Sequence, residues 1–143
     1  MIPERNRSRK PQSVRFVAVF SGSPAKRGGG DSVDQPAYFP LFVNLSGKRV
    51  AVFGGGTVGL RRAQVLSGFG AQVTVISPAF AGQPDGVQLL CRAYSPGDCA
   101  GYALVIAATD SRTVNRAVVE ECRALGIPVN AADAPGECDF YFP

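Results

Sequence analysis

Gly54, Gly56 and Gly59 form a Gly-x-Gly-x-x-Gly run directly behind the apolar stretch Arg49-Val50-Ala51-Val52-Phe53. Few patterns restrict a fold more tightly. A strand has to end, turn and start a helix within a handful of residues, which is the setting in which a glycine run holds a dinucleotide. The first glycine permits the tight turn, the second lets the backbone approach a pyrophosphate, and the third lets the helix lie close on the strand. Free N–H groups at the helix start, together with the positive end of its dipole, would hold the phosphates without any basic side chain. A plain glycine-rich turn has the same letters. The strand Ala71-Gln72-Val73-Thr74-Val75-Ile76 that follows favours the binding reading, because it completes a βαβ unit of ordinary length.

The chain divides near residue 37. Before it come Pro, Ser, Arg and Gly with little hydrophobic periodicity, so 1–36 reads as a disordered basic extension. Seven of the 15 cations fall in the first 27 residues, so the net charge of +4 is a property of that tail and gives no case for a nucleic-acid partner. Within the tail, Val14–Phe20 is too short for a membrane span, and the Ser21-Gly22-Ser23-Pro24 and Lys26-Arg27-Gly28-Gly29-Gly30 that follow read as linker rather than as a signal cleavage site. A chain of 143 residues, 45% of them hydrophobic, can bury one core and holds one domain over 37–143.

Past residue 37 the elements alternate. Strand 49–53 leads to helix 57–69, with Leu60, Ala63, Leu66 and Phe69 at helical spacing and Gly70 as its left-handed end. Strands 71–76 and 87–91 follow, then a turn or short helix start at Ser95-Pro96-Gly97-Asp98. The continuous apolar strand 103–108 reads as buried on both faces. Thr109, Asp110 and Ser111 offer capping oxygens to a helix striped with Val114, Ala117, Val118, Cys122 and Leu125 and closed by Gly126. Ile127-Pro128-Val129-Asn130 opens the last strand, where a proline is tolerated. The expected fold is α/β, a Rossmann-like doubly wound parallel sheet with helices on both faces and a ligand crevice beyond the carboxyl ends of the strands. That places Gly54–Gly59, Ser77–Ala79, Thr109–Asp110 and Asn130–Asp133 around the crevice.

Five segments in order resemble one family: Tyr38-Phe39-Pro40-Leu41-Phe42-Val43-Asn44-Leu45, Val52-Phe53-Gly54-Gly55-Gly56-Thr57-Val58, Val105-Ile106-Ala107-Ala108-Thr109-Asp110, Asn130-Ala131-Ala132-Asp133-Ala134-Pro135 and Cys138-Asp139-Phe140-Tyr141-Phe142-Pro143. They are similar to the NAD-binding N-terminal domain of precorrin-2 dehydrogenases, the dehydrogenase module of siroheme synthases. The resemblance implies NAD-dependent oxidation of precorrin-2 to sirohydrochlorin in siroheme biosynthesis, with some relatives also inserting iron. It places Asp133 at the family's catalytic aspartate, Thr57 and Val58 at cofactor contacts after the glycines, and Pro78 and Ala79 at those after the second strand. Thr109 joins the cofactor side with them. Members continue past the Phe-Pro with a dimerisation segment and a helical part, so a homodimer is expected of the complete protein and this chain reads as lacking those parts. A stop there would leave Phe140, Tyr141 and Phe142 uncovered.

The chemistry agrees with Asp133. Oxidising a reduced tetrapyrrole moves a hydride to a nicotinamide and releases a proton, for which one positioned carboxylate can act as general base. The competing role is that Asp133 in Asp-Ala-Pro stabilises a turn. Asp110 reads as a cap or a cofactor-side group, Asn130 as an orienting group, and Glu137 and Asp139 as solvated loop charges. No acid follows the second strand to hold the ribose hydroxyls, where the chain reads Ile76-Ser77-Pro78-Ala79, so NAD over NADP comes from the resemblance; Arg61 and Arg62 are candidates for a 2′-phosphate. With no histidine and no Cys-x-x-Cys pair, Cys91, Cys99, Cys122 and Cys138 suggest neither a zinc site nor an activated thiol; they read as core residues or bystanders in a reducing cytoplasm. The alternatives are a bifunctional dehydrogenase and ferrochelatase, a nucleotide sensor without catalysis, or an inactive NAD-binding fragment. A short-chain reductase is excluded by the lack of a Tyr-x-x-x-Lys pair.

Overall fold

The computed structural model describes residues 16–17 and 38–142. Apart from Phe16–Val17, the expectation for 1–36 lies outside the described residues. Strands β1 (Phe16–Val17) and β2 (Phe42–Val43) pair antiparallel in a small unit, Val14–Asn44. The chain from Leu45 onward belongs to a second compact unit.

That second unit is a five-stranded parallel sheet. Its strands are β3 (Arg49–Gly55), β4 (Gln72–Phe80), β5 (Val87–Cys91), β6 (Leu104–Ala107) and β7 (Val129–Ala131), in the order β5-β4-β3-β6-β7. The order reverses between β3 and β6, so the doubly wound expectation holds and a crevice opens where their carboxyl ends diverge. Helix α1 (Thr57–Gly68) buries Gly59, Leu60, Ala63 and Leu66 against one face, and α2 (Arg112–Leu125) buries Asn115, Val118, Val119 and Cys122 on the other. Alternation along β3 serves both layers. Ala51 and Phe53 join Ile76, Val105, Ala107, Val129 and Cys122 in the α2-side core, which leaves Val50 and Val52 to α1.

The helix ends follow the sequence. Gly70 (φ 83°) and Gly126 (φ 68°) terminate α1 and α2, and the Ala71 and Ile127 N–H groups bond back to the Leu66 and Cys122 carbonyls at 3.2 and 2.9 Å. Two details narrow the expectation and a third departs from it. Among the offered caps Ser111 is the one used, its hydroxyl accepting the Val114 N–H at 3.3 Å. The crossover from β5 to β6 contains only turns, over residues 96–101. Strand β4 continues through Pro78, because residues 77–79 bulge: Phe53 pairs with Ile76 but Gly55 pairs with Phe80. A proline is harmless in a bulge, where its missing donor breaks no ladder bond.

The turn segment is held down by a second cluster. Tyr94 meets Phe53 edge to face at 5.3 Å and gives its hydroxyl to Glu121 on α2 at 2.5 Å, whose other oxygen accepts the Cys99 N–H at 3.2 Å. Burial, aided by the Glu121 bond, raises the Tyr94 phenol above its usual value.

Candidate functional site

The turn after β3 is shaped by contacts that only glycine survives. Gly54 has φ 114°, and a Cβ there would lie 2.2 Å from the Ala108 carbonyl oxygen on β6's exit. A Cβ on Gly59 would lie 2.1 Å from the Gly54 oxygen, so this residue sets how closely α1 approaches β3. Gly55, unremarked in the sequence, is confined in the same way, its Cβ position being 2.3 Å from the Ala79 oxygen. Gly56 differs from all three. A Cβ there would meet nothing within 4 Å, and the residue is exposed at the N-cap of α1 with no side chain capping it.

The first turn of α1 closes with the Leu60 N–H on the Gly56 carbonyl at 3.0 Å. Ahead of it the N–H groups of Thr57, Val58 and Gly59 emerge at the helix start, as in any helix, and no acidic side chain stands in the first turn. Thr57 and Val58 face a cleft of about 660 Å³ lined by Gly54, Gly55, Gly56, Thr57, Val58, Ser77, Pro78, Ala79, Phe80, Ala81, Ala108, Thr109 and Asp110. The bulge at 77–79 supplies one wall, and the exit of β6 supplies the other. Gly59 lies behind the lining, buried under the turn. A hollow of about 480 Å³ opens at the opposite, amino-terminal end of β3 and β4, where Arg49 stacks on Tyr102 at 4.5 Å. Parallel sheets bind ligands at the carboxyl ends of their strands, so the glycine cleft is the candidate site.

The wall at Thr109 is fixed by Asn115, which carried no signal beyond being a polar residue on an apolar helical stripe. Its fully buried amide accepts from the Thr109 N–H at 3.0 Å and hydroxyl at 2.6 Å and donates to the Thr109 carbonyl at 3.0 Å. Asp110 is left exposed on the rim instead of capping α2.

Asp133 is not in the cleft lining. It follows β7, the neighbour of β6, with the Ala132 N–H bonded to the Ala107 carbonyl at 2.8 Å. Its carboxylate stands 3.6 Å from Arg112 Nη1 and is about a third exposed, 34%. The same guanidinium makes a closer contact with Glu137, and that bond, with the Asp133 charge behind it, holds Arg112 above its usual value. Glu137 is therefore an ion-pair partner instead of a solvated charge. Asp139 is also engaged: its carboxylate accepts the Val129 N–H and its own N–H reaches the Val129 carbonyl, both at 2.9 Å, closing the edge of β7. Asn130 orients its surroundings, giving its amide N–H to the Phe140 carbonyl at 2.7 Å and accepting Arg62 at 2.6 Å. Arg62 also lies over the Phe142 ring at 5.3 Å, so it is directed at β7 rather than at a phosphate in the cleft. Phe140 and Phe142 are half-buried as a result, while Tyr141 is 49% exposed. Cys99 and Cys122 are core residues, Cys91 is exposed, and Cys138 is half-buried in the β7 loop. No helix among the described residues is long and apolar enough to cross a membrane.

A reversed parallel sheet, a glycine turn molded against both neighbours and an open helix N-terminus define a dinucleotide-binding α/β domain. Residues 41–143 match the family described as "Putative NAD(P)-binding", and the chain belongs to that family. It is 44% identical to the siroheme synthase of Ectopseudomonas mendocina (strain ymp) over 112 residues, 43% to that of Pseudomonas putida (strain W619) and 42% to that of Azotobacter vinelandii. Each alignment covers 74% of this chain and 24% of the relative, so the chain spans about a quarter of the length of those curated relatives. Among solved structures it resembles SirC, a precorrin-2 dehydrogenase, with a TM-score of 0.63 at 22% identity, covering 74% of this chain and 55% of that one. At that identity the likeness speaks for the fold.

Proposed function

We propose that residues 37–143 form the NAD-binding domain of an enzyme that oxidises precorrin-2 to sirohydrochlorin, with NAD as oxidant. The observation that carries this reading is the open Gly56 at the bare N-terminus of α1, on the floor of the cleft at the point where the sheet reverses. The N–H groups of Thr57 and Val58, which line the cleft, suit a pyrophosphate, being donors that need no counter-ion and are already oriented. Pro78 and Ala79 on one wall and Thr109 and Asp110 on the other would hold the two halves of the dinucleotide. The names of the relatives supply the substrate class, and the family resemblance selects NAD over NADP.

Bound there, the nicotinamide supplies the hydride acceptor. Asp133, one strand beyond Thr109, would take the proton that precorrin-2 must lose, and the overall change from precorrin-2 and NAD⁺ to sirohydrochlorin, NADH and H⁺ would then balance. Asp110 stays on the cofactor side of the cleft. By the same resemblance the working form is a cytoplasmic homodimer. Calorimetric titration with NAD and an absorbance assay with precorrin-2 test the proposal. Binding accompanied by one NADH per precorrin-2 consumed is expected. Binding without turnover would leave a nicotinamide-binding domain and remove the dehydrogenase assignment, and no binding would remove both.

A further inference from the structure

The loop that carries Asp133 starts and ends at one point. Ala131 donates its N–H to Cys138 Sγ at 3.2 Å, and the thiol lies 3.2 Å from the Ala131 carbonyl and 3.4 Å from that of Ala134. Between them the Ala134 N–H bonds the Ala131 carbonyl at 3.3 Å and the Glu137 N–H bonds the Ala134 carbonyl at 2.9 Å. These bonds shape the backbone. The Asp133 carboxylate meets a side chain from another element, Arg112 at 3.6 Å.

We propose that Arg112 is a positioning residue for Asp133, an inference that rests on Asp133 being the general base. Arg112 is the first residue of α2, three positions from Thr109, whose turn is locked by the buried Asn115. A guanidinium mounted there ties the β7 loop to the same helix start that fixes the cleft wall. Its five donors are fixed in a plane, so it can hold two carboxylates at once. Glu137 takes the close contact, and Arg123 Nη2 holds the Glu137 carbonyl at 3.3 Å, anchoring the loop to α2 at two points. Asp133, at 3.6 Å, is aimed by the same group without being gripped as closely, which leaves its oxygens able to take a proton. General-base catalysis is sensitive to placement of this kind, since small errors in the reacting geometry cost large factors in rate.

The test uses the full chain with Arg112→Met, Arg112→Lys, Asp133→Asn and the double variant Arg112→Met with Asp133→Asn. Asp133→Asn is expected to slow turnover by about two to four orders of magnitude. Arg112→Met should lower kcat about tenfold with NAD affinity and unfolding midpoint unchanged, and Arg112→Lys should recover most of the loss. On the Asp133→Asn background, Arg112→Met should have no further effect, because there is no base left to aim. Normal turnover by Arg112→Met, an equal loss in NAD affinity, or the same tenfold loss without the Asp133 carboxylate would each overturn the inference. Normal turnover by Asp133→Asn would instead remove the base reading on which it stands.

Discussion

The turn after β3 and the loop after β7 sit at the same end of one sheet, and they are made from different materials. The β3 turn is backbone against backbone: Gly54 against Ala108, Gly55 against Ala79, Gly59 against Gly54. The β7 loop is backbone held by side chains, with Cys138 closing its ends, Arg112 and Arg123 anchoring Glu137, and Asp139 bonded to Val129. A region of the first kind has no room for adjustment, because nothing flexible separates its parts. One of the second kind can lose a contact and keep its path. The difference suits the proposed roles, since a phosphate cradle needs fixed donors while a loop bearing a base has to admit a substrate beside it.

The comparison can be broken at either region, and the larger effect belongs to the glycine turn. Gly59→Val would put its Cβ 2.1 Å from the Gly54 oxygen, so α1 or the turn beneath it would have to shift. We expect a loss of roughly 3 kcal/mol and a fall in melting temperature of about 10 °C, measured by calorimetry. A variant as stable as the parent would mean that the turn is softer than its contacts imply. Cys138→Ala, by contrast, removes a weak donor and acceptor from a half-buried position. It should cost about 1 kcal/mol, and faster amide hydrogen exchange should be confined to residues 132–137. Exchange spreading into β3 or α1 would erase the distinction between the two regions.

The same contrast decides what could be read from the residues. Glycine spacing reports backbone crowding directly, so Gly54 and Gly59, the order of elements and both helix stops were legible. The reach of β4 to Phe80 was not, because Pro78 argues against a strand until the bulge at 77–79 is seen to spare its missing donor. Side-chain pairings across many residues leave no local pattern. Arg112 with Glu137 is 25 residues apart, and Arg62 with Asn130 is 68 apart, so charges that look solvated in the sequence are committed in the fold. Asn115 gave only the mild signal of an amide on an apolar stripe. Asp133 was singled out by resemblance and by chemistry, and its ion partner by neither.

If a phosphate binds beside Gly56, the openness of that residue is what admits it. Gly56→Ala and Gly56→Asp separate shape from charge, since a Cβ at this position meets no protein atom within 4 Å and neither change should disturb folding. Calorimetric titration of NAD against the parent chain and both variants measures the consequence directly. Unchanged melting temperatures are expected, with a weakening of NAD binding by Gly56→Ala and a loss of about a hundredfold or more by Gly56→Asp, whose carboxylate would stand against the pyrophosphate. Parental NAD affinity in a folded Gly56→Asp protein would contradict a phosphate beside Gly56.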